Sequence, residues 1–419
     1  MSSATPAPPA AERDEAFGVG FDEVFQELTR PEYRENPYVL YARMRQEHPV
    51  YRSSLGAWYL TRYADVEAAV FDPRLSNDRE RMLRAMEAQG ALREASRLTR
   101  RVGQSMLSAD PPDHTRLRKL AVMAFTARRV RSLRPRIEAI TDELLDDAIA
   151  AGPTMELIAA LAYPLPVTVI CELLGVPPSD RGRVRAWSRQ VIDSDPTSAE
   201  GLERAEQAFG EFESYLTDLI RSRRAEPGDD LISGLVGARE RGDQLSDDEL
   251  LATCFLLLVA GHETTVGLIG NGTLALLTHP DQLRRLHEDP GLIRSAVEEL
   301  LRFDSPAQVV QRVVASDVEI GGMMLREGEF VLPVLGAANH DPDRFPDPDA
   351  LDLGRMDNRH LSFGNGPHFC LGAPLARLEG EVAIGALVRR LPKLRLDAEV
   401  IERRPNPMLR ALTALPVAY

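Results

Sequence analysis

The stretch FGNGPHFCLG, residues 363–372, decides the interpretation of this chain, because it presents one cysteine on a glycine-broken loop with a predicted helix behind it. Gly364 and Gly366 allow backbone conformations that residues with a Cβ resist, and Pro367 stiffens the approach to the cysteine. The loop and the N-terminus of the following helix direct backbone N–H groups at Cys370, which favours the thiolate. We therefore predict that Cys370 binds a metal. The alternative is a structural cysteine in a tight turn.

These ten residues resemble the haem-binding loop of the cytochrome P-450 family of haem-thiolate monooxygenases, Phe-Gly-x-Gly-x-His/Arg-x-Cys-x-Gly, at every fixed position. The resemblance implies that Cys370 is the axial iron ligand of a bound haem b. It further implies that His368 contacts a haem propionate and that Phe363 shields the sulfur. Gly364 belongs to the same cofactor-binding loop, and Gly372 is expected to let the next helix approach the flat ligand closely.

Length and composition predict a mainly α protein with small β-sheets. The chain has 419 residues and no long linker, Leu and Ala dominate its apolar residues, and strand-forming runs are few. We predict a disordered tail at residues 1–20, followed by one domain at residues 21–419. The resemblance adds the cytochrome P-450 fold, in which a long central helix crosses the haem.

The charge and the cysteine count exclude several classes of function. A formal net charge of -14 argues against nucleic-acid binding and against anionic membranes. Three cysteines at wide spacing argue against a disulfide framework and predict a reducing compartment, the cytoplasm. Residues 1–11 contain no apolar core segment, so we predict neither a signal peptide nor a membrane anchor. Microsomal members of the family carry a membrane helix there, so the resemblance implies a soluble, bacterial-type enzyme.

Two basic residues lie near the start of the helix that follows Pro111 and Pro112. His114 and Arg118 are one turn apart on one helical face, a spacing at which two donors hold a carboxylate. The resemblance implies that both bind haem propionates, and that Arg312 is a further propionate ligand. The alternative for the first pair is a solvated basic face.

A capping box, Ser246 to Glu249, opens a helix that is predicted to run to about Thr278. Such a helix would be roughly 50 Å long, and it must be buried because residues 255–259 are apolar. Its apolar run is shorter than a membrane span needs, so we predict a core helix.

An acid and a threonine lie in the middle of this helix. Burying an unpaired carboxylate is costly, which argues against a purely structural role for Glu263. The family carries Ala/Gly-Gly-x-Asp/Glu-Thr-Thr at this place, and the resemblance implies that Glu263 delivers protons while Thr264 assists dioxygen activation. Ala260 and Gly261 are expected to leave room above the haem, and the helix is expected to open locally at Thr264. The alternative is a kink without chemistry.

Glu299 and Arg302 lie three residues apart on a predicted helix, close enough to pair. An exposed pair of this kind carries little information by itself. The resemblance implies that Glu299, Arg302 and Arg355 form a buried network that supports the cysteine loop.

Position within the family assigns the walls of a substrate pocket. They are residues 74–107, the turn at 193–199, Leu257, Ala260, Gly261, residues 307–310 and the loop near Met408. Residues 74–104 lack a clean apolar stripe and are predicted to be mobile. Three methionines of the 74–107 segment, Met82, Met86 and Met106, would adapt to a ligand or fill the core. Gln308 is expected to give one polar contact.

Together these features predict a haem-dependent monooxygenase that inserts one atom of O2 into an apolar small molecule of macrolide, steroid, terpene or fatty acid type. The chain shows no flavin or ferredoxin module, so we predict electrons from a separate ferredoxin and ferredoxin reductase. The ferredoxin is expected to dock on a basic cluster, formed by Arg116, Lys119, Arg128, Arg129 and Arg131. A haem-thiolate sensor or electron-transfer protein would share Cys370 without needing Glu263 or Thr264. A peroxide-driven enzyme is a third alternative.

Overall fold

The computed structural model describes residues 22–88, 97–193, 199–238 and 242–419, and within these ranges the protein is mainly helical with three small sheets, as predicted. The predicted tail, residues 1–20, lies outside the described residues, as do parts of two expected pocket segments. The α-helices are α1 (Glu23–Thr29), α2 (Pro31–Glu35), α3 (Tyr38–Glu47), α4 (Tyr63–Phe71), α5 (Arg79–Ala88), α6 (Arg97–Val102), α7 (Asp113–Ala124), α8 (Ala127–Ser132), α9 (Arg134–Ala151), α10 (Pro164–Leu174), α11 (Arg181–Asp193), α12 (Ala199–Ala225), α13 (Leu231–Gly237), α14 (Asp247–Thr278), α15 (Pro280–Glu288), α16 (Ile293–Phe303), α17 (Leu335–Ala338) and α18 (Ala373–Arg390).

The strands are short. They are β1 (Val50–Arg52), β2 (Trp58–Leu60), β3 (Leu75–Ser76), β4 (Thr154–Glu156), β5 (Arg312–Val314), β6 (Val318–Ile320), β7 (Met323–Leu325), β8 (Phe330–Pro333), β9 (Arg395–Leu396) and β10 (Pro416–Ala418). The largest sheet has the order β1-β2-β8-β5-β3, in which β2 and β8 are parallel and the other neighbours antiparallel. β1 and β2 form an antiparallel hairpin, with Val50 paired to Leu60.

The main core is organised around α14. The Ser246 side chain accepts a hydrogen bond from the Glu249 N–H, and the Glu249 carboxylate accepts one from the Ser246 N–H, so the predicted capping box is confirmed. Helices α10, α16 and α18 pack against α14. Among the described residues, α14 is the one helix long and apolar enough to cross a membrane, so the expectation that its apolar run is too short was wrong. However, 67% of its most apolar 18-residue window is buried within the protein, which is typical of a core helix.

Helix α18 buries a carboxylic acid in this core. Glu379 is 1% exposed, and neither of its carboxyl oxygens has a hydrogen-bond partner among the described residues. Burial raises the pKa of Glu379 well above its ordinary value, because the charged form loses its hydration. The raised pKa favours the neutral form of this side chain in the folded protein.

We predict that Glu379→Gln removes a pH-dependent loss of stability. Above the ordinary Glu pKa, the folded protein holds a proton that the unfolded chain has released. The free energy of unfolding of the wild type therefore falls by about 1.4 kcal/mol per pH unit until the folded pKa is reached. Urea unfolding from about pH 5 to about pH 7 measures this, and the variant should gain on the wild type as the pH rises. Parallel curves for the two proteins would show that Glu379 is ionised when folded.

Candidate functional site

The Cys370 loop is shaped by two left-handed glycines. Gly364 has a φ of 66° and Gly366 a φ of 67°, and a Cβ on Gly366 would lie 2.9 Å from a carbonyl oxygen of α4. Both positions therefore favour glycine for steric reasons. Gly372 has an ordinary helical φ of -79°, and a Cβ there would lie 3.8 Å from the Cys370 sulfur. At this position the absence of a side chain leaves space beside the sulfur, whereas the backbone conformation itself would accept other residues.

Burial raises the pKa of the Cys370 thiol, and this influence outweighs the groups that favour the thiolate. Those groups are the N–H of Gly372, the N–H of Ala373 and the charges of Arg118 and Arg377. We expected the backbone donors of the loop and the N-terminus of the next helix to favour the thiolate; the N–H groups of Gly372 and Ala373 do so, but desolvation of the sulfur outweighs them. A bound metal cation would reverse the balance, since metal binding displaces the thiol proton.

The predicted network of Glu299, Arg302 and Arg355 is present, with Glu299 and Arg302 buried and Arg355 partly buried. Arg302 Nε and Nη2 each donate to the Glu299 carboxylate at 2.8 Å, and Arg355 Nε donates to it at 3.1 Å. Both Glu299 and Arg302 are 0% exposed. Arg302 also donates to the carbonyl oxygens of Asn339, Pro348 and Ala350. One guanidinium thus ties α16 to the coil that leads into the cysteine loop.

Four basic side chains gather beside Cys370. The ring centroids of His114 and His368 are 4.1 Å apart, and Arg118 donates to a carbonyl oxygen of the cysteine loop at 2.7 Å. Burial, together with the charges of His114, Arg312 and Arg118, lowers the pKa of His368 to about 3. Burial also lowers the pKa of Arg312 to about 10.

This cluster has the electrostatics of an anion site. Among the described residues, His114 Nε2 has no hydrogen-bond partner although it is buried. Arg118 and Arg312 donate to backbone carbonyls rather than to carboxylates, and one nearby acid, Asp110, offsets part of the charge. Like charges held together in a desolvated place are stabilised by an anion. The two propionates of a haem would supply it, so the residues present fit the cofactor.

One face of α14 is open in the middle of the helix. Ala260 is exposed and Thr264 is partly exposed, one turn apart, while His262 and Glu263 between them are buried. A ligand that lies against the middle of a core helix needs such an opening. The predicted position of Thr264 at a cofactor face is therefore compatible with the structure.

Two expectations about α14 are not met. A Cβ on Gly261 would lie 3.3 Å from the Ile170 side chain, so the small residue serves the packing of α14 on α10 rather than space above a haem. The helix also does not open locally. It is continuous over Asp247–Thr278, and Thr264 Oγ1 donates to the Ala260 carbonyl at 3.1 Å.

Glu263 is paired, so the cost of burying an unpaired carboxylate does not arise here. Its Oε2 accepts from Arg404 Nη1 at 2.9 Å, and its Oε1 lies 3.4 Å from His262 Nε2. His262 Nδ1 lies 2.7 Å from the Leu258 carbonyl oxygen and so carries a proton, while Nε2 lies 3.1 Å from Ser188 Oγ. Burial alone would raise the pKa of Glu263, but hydrogen bonds and charge from His262 and Arg404 outweigh it and lower the pKa.

Sequence reasoning missed two arginines at this site. Arg404 binds Glu263 from 141 positions away, and Arg377 binds Glu298 from 79 positions away. No local spacing signals either pair. The one clue in the sequence is Glu298 itself, a second acid directly before Glu299.

The expected pocket walls are partly replaced by core contacts. Gln308 is 2% exposed and its amide nitrogen donates to the Ser305 carbonyl at 2.6 Å, so it faces the core rather than a ligand. Val309 is buried in a hydrophobic cluster, and Met82 and Met86 pack against the same cluster. The methionines therefore act as core filler.

The chain is similar to known proteins in sequence and in fold. The cytochrome P-450 family model matches residues 189–411. A vitamin D(3) 25-hydroxylase of Pseudonocardia autotrophica is 48% identical, with 91% of this chain and 94% of that protein covered. The chain belongs to the cytochrome P-450 family. A 6-deoxyerythronolide B hydroxylase of Saccharopolyspora erythraea is 44% identical, with coverage of 91% and 95%. The solved structure of the myxobacterial cytochrome P-450 CYP267B1 in complex with myristic acid has a TM-score of 0.87 at 45% identity, covering 94% of this chain and 99% of that one.

This P-450 is therefore a monooxygenase and carries the haem-thiolate cofactor of its family. The fold expectation, a mainly α P-450 fold around one long helix, is confirmed. The chemistry of the family consumes O2 and requires a redox partner that supplies electrons.

Proposed function

We propose that this P-450 binds haem b through Cys370 and inserts one atom of O2 into a bulky, largely apolar small molecule. The observation that carries the proposal is the basic cluster beside Cys370, because the two propionates of one flat cofactor would neutralise it. The proposed haem contacts are His114, Arg118, Arg312, Phe363, Gly364, His368 and Gly372. The proposed catalytic residues are Glu263 and Thr264.

Haem with a thiolate ligand supplies an oxidant strong enough to attack C–H bonds, because the sulfur donates electron density to the iron. The protein's share is to bring protons to the open face of α14. Glu263 is ionised and paired with Arg404; when that pair opens, its carboxylate takes up a proton that ordered water relays from bulk solvent and passes it on toward the opening. The Thr264 hydroxyl donates to the Ala260 carbonyl at rest, and rotation of its side chain turns it into the opening.

We predict that Thr264→Ala retains haem and substrate binding while product formed per reductant consumed falls about tenfold or more, because a positioned proton donor is lost. The lost reducing equivalents should appear as hydrogen peroxide. The matched control is Thr265→Ala, since Thr265 is 2% exposed and faces the core. Unchanged coupling in Thr264→Ala, or an equal loss in the control, would remove Thr264 from the mechanism.

The substrate proposal rests on the apolar face that α14 presents. Leu256, Val259 and Ala260 are at least partly exposed there, and the expected polar contact from Gln308 is absent because that side chain faces the core. An apolar site with few polar anchors favours ring systems of macrolide or steroid type, with terpenes and fatty acids as the other members of the proposed class. The relatives named as hydroxylases of vitamin D(3) and 6-deoxyerythronolide B support bulky substrates.

Titration of the holoenzyme with a macrolide, a steroid and a medium-chain fatty acid tests this class, with the haem absorption band as the readout. We expect the ring systems to shift the band. If the fatty acid alone binds, and binds tightly, the proposal of a bulky ring system as the substrate is wrong. Turnover under isotope-labelled dioxygen should add one labelled oxygen atom to the product, and label taken from water instead would contradict monooxygenation.

The proposed electron donor is an acidic ferredoxin, served by a ferredoxin reductase, that docks beside Cys370. Two members of the predicted basic cluster have their charge offset in the structure, because Arg116 pairs with Glu249 and Arg129 pairs with Asp229. Lys119, Arg128 and Arg131 stay exposed and form no ion pair with the residues that the structure describes. Val122 and Met123 are 44% and 48% exposed on the same helix as Lys119, so an apolar patch adjoins the remaining charge.

We predict that reduction by ferredoxin slows with rising salt and with Lys119→Glu and Arg128→Glu, because charge steers the encounter. Each change should lower the rate about threefold to tenfold at low ionic strength. Arg326→Glu on the β6–β7 hairpin is the matched control and should leave the rate unchanged. A rate that does not depend on salt would leave this surface without the role.

A cytoplasmic location and a single domain over residues 21–419 belong to the same proposal. They are supported by the burial of α14 and by the three cysteines, Cys171, Cys254 and Cys370, all of which are free thiols.

A further inference from the structure

A second ion pair joins α16 to α18 next to the Glu299 network. Arg377 Nε and Nη2 donate to the Glu298 carboxylate at 2.6 and 2.9 Å. His360 Nε2 lies 3.2 Å from the same carboxylate. Burial alone would raise the pKa of Glu298, but the hydrogen bonds from His360 and Arg377 lower it to about 2. The acid is therefore ionised, and it fixes the arginine with a two-point contact.

This pair places a cation against the cysteine loop. The Arg377 guanidinium carbon lies 4.6 Å from the centroid of the Phe363 ring, a cation–π contact. The Phe363 carbonyl accepts the Cys370 N–H at 3.0 Å, so the residue under the cation is also the residue that closes the loop. The Phe363 ring also contacts Phe369, with centroids 6.3 Å apart. Arg377 is thus held over the apolar side of the loop.

The fold does not need this cation for the Glu299 network. Arg302 and Arg355 already satisfy Glu299, and Asp352 and Asn358 donate to it as well. Glu298 and Arg377 form a separate pair, and the charge of Arg377 works to lower the pKa of Cys370. A fixed charge near a metal-bound sulfur changes how strongly that sulfur donates electrons.

We propose that Arg377 is a positioning residue for the reaction, whose charge, held by Glu298 over Phe363, sets the electron donation of the Cys370 thiolate and hence the reduction potential of the haem. The inference rests on the proposed function, in which Cys370 binds the haem iron. A cation stabilises the reduced form, which carries one positive charge fewer. Its removal therefore makes the potential more negative, and removal of Glu298 does the reverse.

The test is the haem reduction potential of five purified holoenzymes, the wild type and four variants, measured by spectroelectrochemistry. Arg377→Met should lower the ratio of reduced to oxidised haem about threefold to tenfold at a fixed external potential, which is about 30–60 mV for one electron. The side chain of Arg377 is 33% exposed, so water screens part of its charge and keeps the shift modest. Glu298→Gln should shift the potential in the opposite direction, and Arg377→Lys should stay near the wild type.

The two substitutions are expected to shift the reduction potential in opposite directions. A loosened cysteine loop would instead shift the potential of both variants in the same direction, so the signs distinguish an effect of charge from structural damage. Arg389→Met is the matched control, because Arg389 is exposed on the same helix about 18 Å further along and should give no shift.

If Arg377→Met fails to retain haem, Glu298→Gln decides alone: an upward shift of the potential supports the inference, and no shift or a downward shift overturns it. A wild type without the thiolate carbon-monoxide band would refute the proposed function itself. A normal band with unchanged potentials would refute this inference only.

Discussion

Replacement of Cys370 by histidine is expected to abolish the carbon-monoxide band of the reduced protein that is characteristic of thiolate ligation. Imidazole is a neutral ligand and donates less electron density to iron, so the activation of dioxygen is lost with the band. Changing residues that only support a metal ligand costs about 10-fold to 100-fold, so loss of the ligand should lower turnover by more than about 100-fold. Absorption spectroscopy and product formation measure the two effects.

The other cysteines supply the matched control for this experiment. Cys254 is 0% exposed, and burial raises its pKa to about 12, so it is an inert core thiol. Cys254→Ala should keep the band and the activity, with at most a loss of stability. Persistence of the band in Cys370→His would show that another residue binds the iron, and the proposed site would then be wrong.

Local patterns in the sequence predicted the elements of this site well. The capping box at Ser246 begins α14, and residues 363–372 form the loop with left-handed Gly364 and Gly366. These features depend on backbone preferences and on side chains a few positions apart, which a sequence displays directly. The family resemblance then supplied the cofactor, which no local rule derives.

Contacts between distant segments could not be predicted in the same way. The partner of Glu263 proved to be Arg404, and the polar contact expected from Gln308 proved to be a core hydrogen bond. Both outcomes depend on which segments the fold brings together. A helical period shows which face of a helix is buried, but it does not show which residues pack against that face. The pKa of Cys370 illustrates the same limit, because burial was not visible in the loop sequence.

The buried arginine of the Glu299 network should be the position where substitution costs the fold most. We expect Arg302→Ala to lower the free energy of unfolding by about 3–5 kcal/mol, because one partner of a fully buried ion pair is lost and the other stays desolvated. The three backbone carbonyls that Arg302 binds also lose their donors, which loosens the coil before the cysteine loop. Haem content should therefore fall together with stability. Urea unfolding and the haem absorbance per chain measure both.

An exposed arginine serves as the control that shows how much of the loss in free energy of unfolding is due to burial of the ion pair. Arg326 pairs with Asp317, and their side chains are 64% and 49% exposed, so Arg326→Ala should change the free energy of unfolding by no more than about 1 kcal/mol. Equal effects of the two substitutions would mean that the buried pair contributes no more than a surface pair. A large loss of stability with full haem content in Arg302→Ala would separate the two roles, because the network would then stabilise α16 without shaping the cysteine loop.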